Sequence, residues 1–114
     1  MIEALAAIGL PRVADLPSGV AAAEAEWFVP AGRLCTLLDR TAAYRGFAVN
    51  PGLALPADWS AIAYKGGSEP GVLNLSTRVV AADGTAWCVI ATWNDAEPLD
   101  ETALFELYGE LLQA

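Results

Sequence analysis

The sequence predicts an α+β fold: a three-stranded antiparallel sheet packed by N-terminal and C-terminal helices. Three observations carry that reading. Leu73, Leu75, Thr77 and Val79 alternate with Asn74, Ser76 and Arg78, the period-two signature of a strand with one buried face. The pair Asp83-Gly84 separates this run from a second extended run, Ala86 to Trp93, which is a strong hairpin signal. Leu34, Leu37, Leu38 and Thr41 recur at helical spacing, and so do Leu104, Leu107, Tyr108, Leu111 and Leu112.

The elements follow in order. Ile2, Leu5 and Ala6 share one face of a short helix over Met1 to Ile8, closed by Gly9 and Pro11. Arg12 to Ala25, broken by Pro17 and Gly19, reads as a crossing or loop. Glu26 to Val29 is a short extended piece, and Pro30 suits the first turn of the next helix, where its missing N–H costs nothing. Residues 1–45 thus form a helical segment with a loop. Residues 46–58 are a loop containing Asn50-Pro51-Gly52, a turn signal. Residues 59–94 form the sheet. Its first strand is expected over Trp59 to Tyr64, and Lys65 to Gly71 as a tight polar exit from it. Val72 to Val80 is the second strand. Ala86 to Trp93 is the third, apolar on both faces and therefore expected to be central or covered on two sides. Asp100 is a good N-cap for a final helix over 99–113.

The chain has 114 residues, of which 55% are hydrophobic and 18% charged. That composition excludes intrinsic disorder and allows one domain, or part of a larger one. Acidic residues outnumber basic ones 14 to 6, for a net charge of −8. Nucleic acid is not an expected partner, because binding phosphates needs basic surface. No apolar run is long enough to cross a bilayer, and Met1 to Leu10 lacks the basic start of a signal peptide, so a cytoplasmic location is expected. There is no histidine, which removes Ser-His-Asp and Cys-His catalysis and histidine-ligated metals. No cofactor is expected. Cys35 and Cys88 form no CxxC pair and read as reduced, buried core residues rather than as a disulfide. Asp95, Glu97, Asp100 and Glu101 suit the start of a helix, where acids meet the dipole. Trp27, Trp59, Trp87 and Trp93 are expected in the core.

The candidate site is Lys65-Gly66-Gly67-Ser68. Lys65 is the only lysine of the chain, and it stands at a strand end beside two glycines and a serine. Glycines let a ligand approach the backbone, and their N–H groups can point at an anion.

The run Pro56 to Trp59, then Ala61 to Ser68, the Asp83-Gly84 hairpin and the terminal helix resemble the C-terminal part of serine β-lactamase-like hydrolases, the superfamily of class A β-lactamases and penicillin-binding proteins. Lys65 to Leu75 looks like the version carried by uncharacterised bacterial hydrolases of that group. Glu26-Trp27-Phe28, the Leu34-Cys35 helix and Asn50-Pro51-Gly52 are similar as well, so the resemblance runs along nearly the whole chain. It implies that Lys65 is the lysine of a Lys-Thr-Gly-type motif and that Gly67 is its small residue, against which substrate lies. It also implies that the Ser68 N–H is one arm of an oxyanion hole. Gly66 departs from the pattern, since the motif carries a hydroxyl there. The nucleophile is missing too: Ser18, Ser60, Ser68 and Ser76 are not followed by lysine three residues on, and no S-D-N or Y-x-N triplet occurs.

The expected role is accordingly a non-catalytic C-terminal part of such a hydrolase, acting as an oligomeric or interaction module. One alternative is half of a split hydrolase whose S-x-x-K comes from a partner; another is a small ligand-binding α+β domain. The expected partner is a second copy or a protein supplying the missing half.

Overall fold

A computed structural model of the chain describes residues 28–113. The helix expected over 1–8, the crossing over 12–25 and Trp27 lie outside the described residues. The described part is α+β. It comprises α1 (Ala31–Thr41), a 3₁₀ turn (Arg45–Phe47), β1 (Ala61–Glu69), β2 (Val72–Val80), β3 (Ala86–Asn94) and α2 (Glu101–Leu111). The strands pair antiparallel in the order β1-β2-β3.

Local chemistry sets each junction. Pro30 precedes α1, and its carbonyl accepts from Arg33 N and Leu34 N. The Asn50 side chain accepts from Gly52 N, so the Asn-Pro-Gly signal is an Asx turn. Pro70-Gly71 alone joins β1 to β2, since Glu69 pairs with Val72. The second hairpin closes through Gly84 N to Ala81 O, with Gly84 at φ +88° and the Asp83 carboxylate accepting from Thr85 N. Those bonds hold the Asp83 carboxyl below its ordinary value. Asp100 caps α2 by accepting from Ala103 N.

The two faces of the sheet carry different cores. Leu73, Leu75, Thr77 and Val79 of β2 line up with Trp93, Ala91, Val89 and Trp87 of β3. The helix α2 lies on this face and buries Tyr108 and Leu112 against Leu73, Leu75, Val79 and Ala54. The Tyr108 hydroxyl donates to Val89 O at 2.7 Å and shares a 2.9 Å hydrogen bond with the Thr77 hydroxyl. A buried phenol and a buried threonine thereby satisfy each other. The opposite face carries Asn74, Ser76 and Arg78. Its cover is α1, which buries Leu38, pairs Asp39 with Arg78 Nε at 2.9 Å and joins Cys35 to Cys88.

Four expectations change. Cys35 and Cys88 are not reduced core thiols; they form a disulfide, because α1 crosses the sheet near β3 and brings their Cα atoms to 5.9 Å. Neither is buried: Cys35 is half-buried and Cys88 exposed. Lys65 to Glu69 is not an exit loop, because the ladder with β2 continues to Glu69 and the turn needs only Pro70 and Gly71. Among the described residues the third strand is neither central nor buried on two sides; it stands at the edge of the sheet, and Trp87 is 58% exposed, although Trp59 and Trp93 do pack on the core. The α2 stripe is wider than the sheet face it meets. Tyr108 and Leu112 are buried, while Leu107 and Leu111 stay more than half exposed. No helix among the described residues is long and apolar enough to cross a membrane.

Candidate functional site

The ladder bonds decide where each backbone group of β1 points. Ala81 N donates to Thr85 O and Asp95 N donates to Gly71 O, both in step with the β2–β3 register. Odd-numbered residues of β2 therefore bond to β3, and even-numbered ones bond to β1. Through the β1–β2 register, Lys65 and Gly67 face Ser76 and Asn74 and turn their backbone groups inward. Gly66 and Ser68 turn theirs outward, along the edge of the sheet that no other described strand pairs.

Side chains alternate the other way, between faces rather than edges. Tyr64, Gly66 and Ser68 share the face of Leu73 and Leu75. Together with Asn50 and Phe105 of α2 they line a groove of about 450 Å³, and Lys65 and Gly67 complete its wall. Lys65 starts from the opposite face, beside Ser76, and its ammonium folds back to donate to the outward carbonyl of Gly66.

The groove exists because of its glycines. A Cβ at Gly66 would run into the Tyr64 hydroxyl, and a Cβ at Gly52 would sit 2.6 Å from Tyr64 Cδ2. The Tyr64 ring therefore lies between two positions where any side chain would force it to shift. Burial pushes its phenol above the ordinary value of 10.0, so it is neutral and a donor at pH 7.

All four sequence-derived residues, Lys65, Gly66, Gly67 and Ser68, thus meet at one groove. Asn50, Tyr64 and Phe105 join them. Asn50 was legible only as a turn residue, and Tyr64 only as the last residue of a strand. Phe105 lies off the helical stripe that the sequence marks, and no sequence signal pointed to it. The arrangement offers two outward N–H groups, a hydroxyl, a phenol and an ammonium, which is a donor set for a carbonyl or carboxylate oxygen. Ser60 Oγ bonds to the carbonyls of Val80 and Ala81, and Ser76 Oγ donates to Asn74 Oδ1, so neither meets a base. Asp95 and Asp100, from the acidic stretch, accept from Glu97 N and Ala103 N and shape the entry to α2.

A scan against protein-family models and a search of curated proteins find no match for this chain.

Proposed function

We propose that the chain is a non-catalytic binding and interaction module, equivalent to the C-terminal part of a serine β-lactamase-like hydrolase. Its groove takes an acyl ligand in extended form, with the ligand's carbonyl or carboxylate on the outward N–H groups of Gly66 and Ser68. The observation that carries this reading is the placement of Gly66 and Ser68 on the outer edge of β1, which no described strand pairs, beside the space that Gly52 and Gly66 leave for the Tyr64 ring. An extended ligand adds to such an edge through main-chain hydrogen bonds. The second reading, a split hydrolase, draws on the same outward N–H of Ser68, which would serve as one arm of an oxyanion hole if a partner brought S-x-x-K. The Cys35–Cys88 bond supports an oxidising compartment in place of the cytoplasmic default.

Ser68→Pro tests the binding role. Proline removes the outward N–H without taking a ladder bond, which an edge strand tolerates. Titration calorimetry with an N-acylated dipeptide should show binding weakened about tenfold, the worth of one hydrogen bond of about 1.5 kcal/mol. Unchanged affinity would remove the site from consideration. A fluorescent penicillin or a fluorophosphonate should leave the chain unlabelled; a covalent adduct on this chain would make it an enzyme by itself.

A further inference from the structure

Among the described residues, β3 pairs with β2 alone, so its outer edge, opposite the groove, meets no other strand, although the Cys35–Cys88 bond ties α1 beside it. By the alternation established above, Ala86, Cys88, Ile90, Thr92 and Asn94 turn their backbone N–H and C=O groups out along that edge. Exposed edges are normally blunted by lysine, proline, a bulge or a covering loop. β1 carries such charges, at Lys65 and Glu69. β3, AWCVIATWN, has no charge and no proline. Beside it stands an apolar surface. Trp87 and Leu111 are 58% and 60% exposed and border one pocket of about 240 Å³, and Leu107 continues the patch one helical turn back.

We infer that this edge pairs with the same edge of a second copy, antiparallel about a two-fold axis at Ile90, giving a continuous six-stranded sheet. The occupant follows from self-complementarity and charge. The chain carries net charge −8, yet the nine edge residues carry none, so two copies meet here without opposing charges. The register that pairs all nine residues sets Ile90 against Ile90, Val89 against Ala91 and Trp87 against Trp93. It thus places two aromatic cross-strand pairs on the face already bearing Leu107 and Leu111. It also joins the outward-facing residues to one another, as two antiparallel strands require. The inference deepens the reading of the chain as an interaction module but uses the other edge, so dimerisation and ligand binding at Ser68 fail separately.

Sedimentation equilibrium of the whole chain at micromolar concentration tests it. The expected species has twice the 11.9 kDa chain mass. Trp87→Lys removes the aromatic pair and inserts an edge charge, and should weaken the dimer at least about tenfold with far-UV circular dichroism unchanged. Ile90→Cys should cross-link to itself under mild oxidation, because facing hydrogen-bonded residues sit about 5.5 Å apart between Cα atoms, within disulfide reach. A monomer throughout the range, or a dimer indifferent to Trp87→Lys that does not cross-link through Ile90→Cys, would overturn the inference. So would occupation of the β3 edge by a strand of a different polypeptide.

Discussion

Tyr108 does more than any other side chain to join α2 to the sheet. It is completely buried, and its one proton goes to Val89 O while Thr77 supplies the other bond. Tyr108→Phe should cost about 1–2 kcal/mol in urea unfolding, since two buried polar groups lose a partner. Its phenol is raised chiefly by burial, and the Tyr64 phenol is raised for the same reason. The sign follows directly. A raised pKa means that the fold prefers the neutral phenol. That contribution is whole below the ordinary value of 10.0 and is lost as pH climbs through the raised one. Denaturation midpoints should therefore stay flat from neutrality to about pH 9 on account of these groups, then fall, with Tyr108→Phe showing a shallower alkaline fall. At the groove, Gly66→Ala should displace the Tyr64 ring and cost about 1–3 kcal/mol, as overpacking does. Adding Tyr64→Phe should restore part of that loss by removing the clashing hydroxyl, and full additivity in the double-mutant cycle would refute the contact.

At the scale of elements, α1 is held by little buried packing. Leu38 is its only buried residue among those described, and Leu37 is half exposed. Its other attachments are an ion pair in which Asp39 is largely in water, worth little, and the disulfide. The bond closes a loop across a sequence separation of 53. Cys88→Ser should lower stability by about 2–4 kcal/mol through denatured-state entropy. The same change should raise hydrogen exchange in Ala31–Thr41 while leaving β2 protected. Equal exchange in α1 with and without the bond would show that packing alone holds the helix.

The elements themselves were largely legible, because period-two alternation, Asp83-Gly84 and the Asp100 cap are local signals that tertiary structure had no reason to override. The length of β1 was not. Lys65-Gly66-Gly67 has the composition of a turn, and only pairing across the hairpin with Ser76, Leu75 and Asn74 holds it extended. The disulfide escaped for a related reason: spacing along the chain does not reveal that α1 lies across the sheet beside Cys88. The candidate site was half legible, since the glycines and Lys65 announce a close backbone approach, whereas Tyr64, Asn50 and Phe105 join it through packing that spans three elements.

For the whole molecule, the sheet is two-edged, and the edges differ in kind. The β1 edge is built around glycines, a hydroxyl and an ammonium; the β3 edge is uncharged and flanked by tryptophan and leucine. We propose an extended polar ligand for the first and the sheet of a second copy for the other. The high apolar content of the sequence is reflected in Trp87, Leu107 and Leu111, which lie outside the core. The central claim is that Gly66 and Ser68 form a binding edge without a nucleophile. Amide-resolved NMR titration of the chain with an N-acylated dipeptide tests this most directly. The account predicts saturable shifts at Gly66, Gly67 and Ser68, reversed on dilution, with β3 amides unmoved. Shifts confined to β3 or α2, or an irreversible change that marks a covalent acyl product, would contradict it.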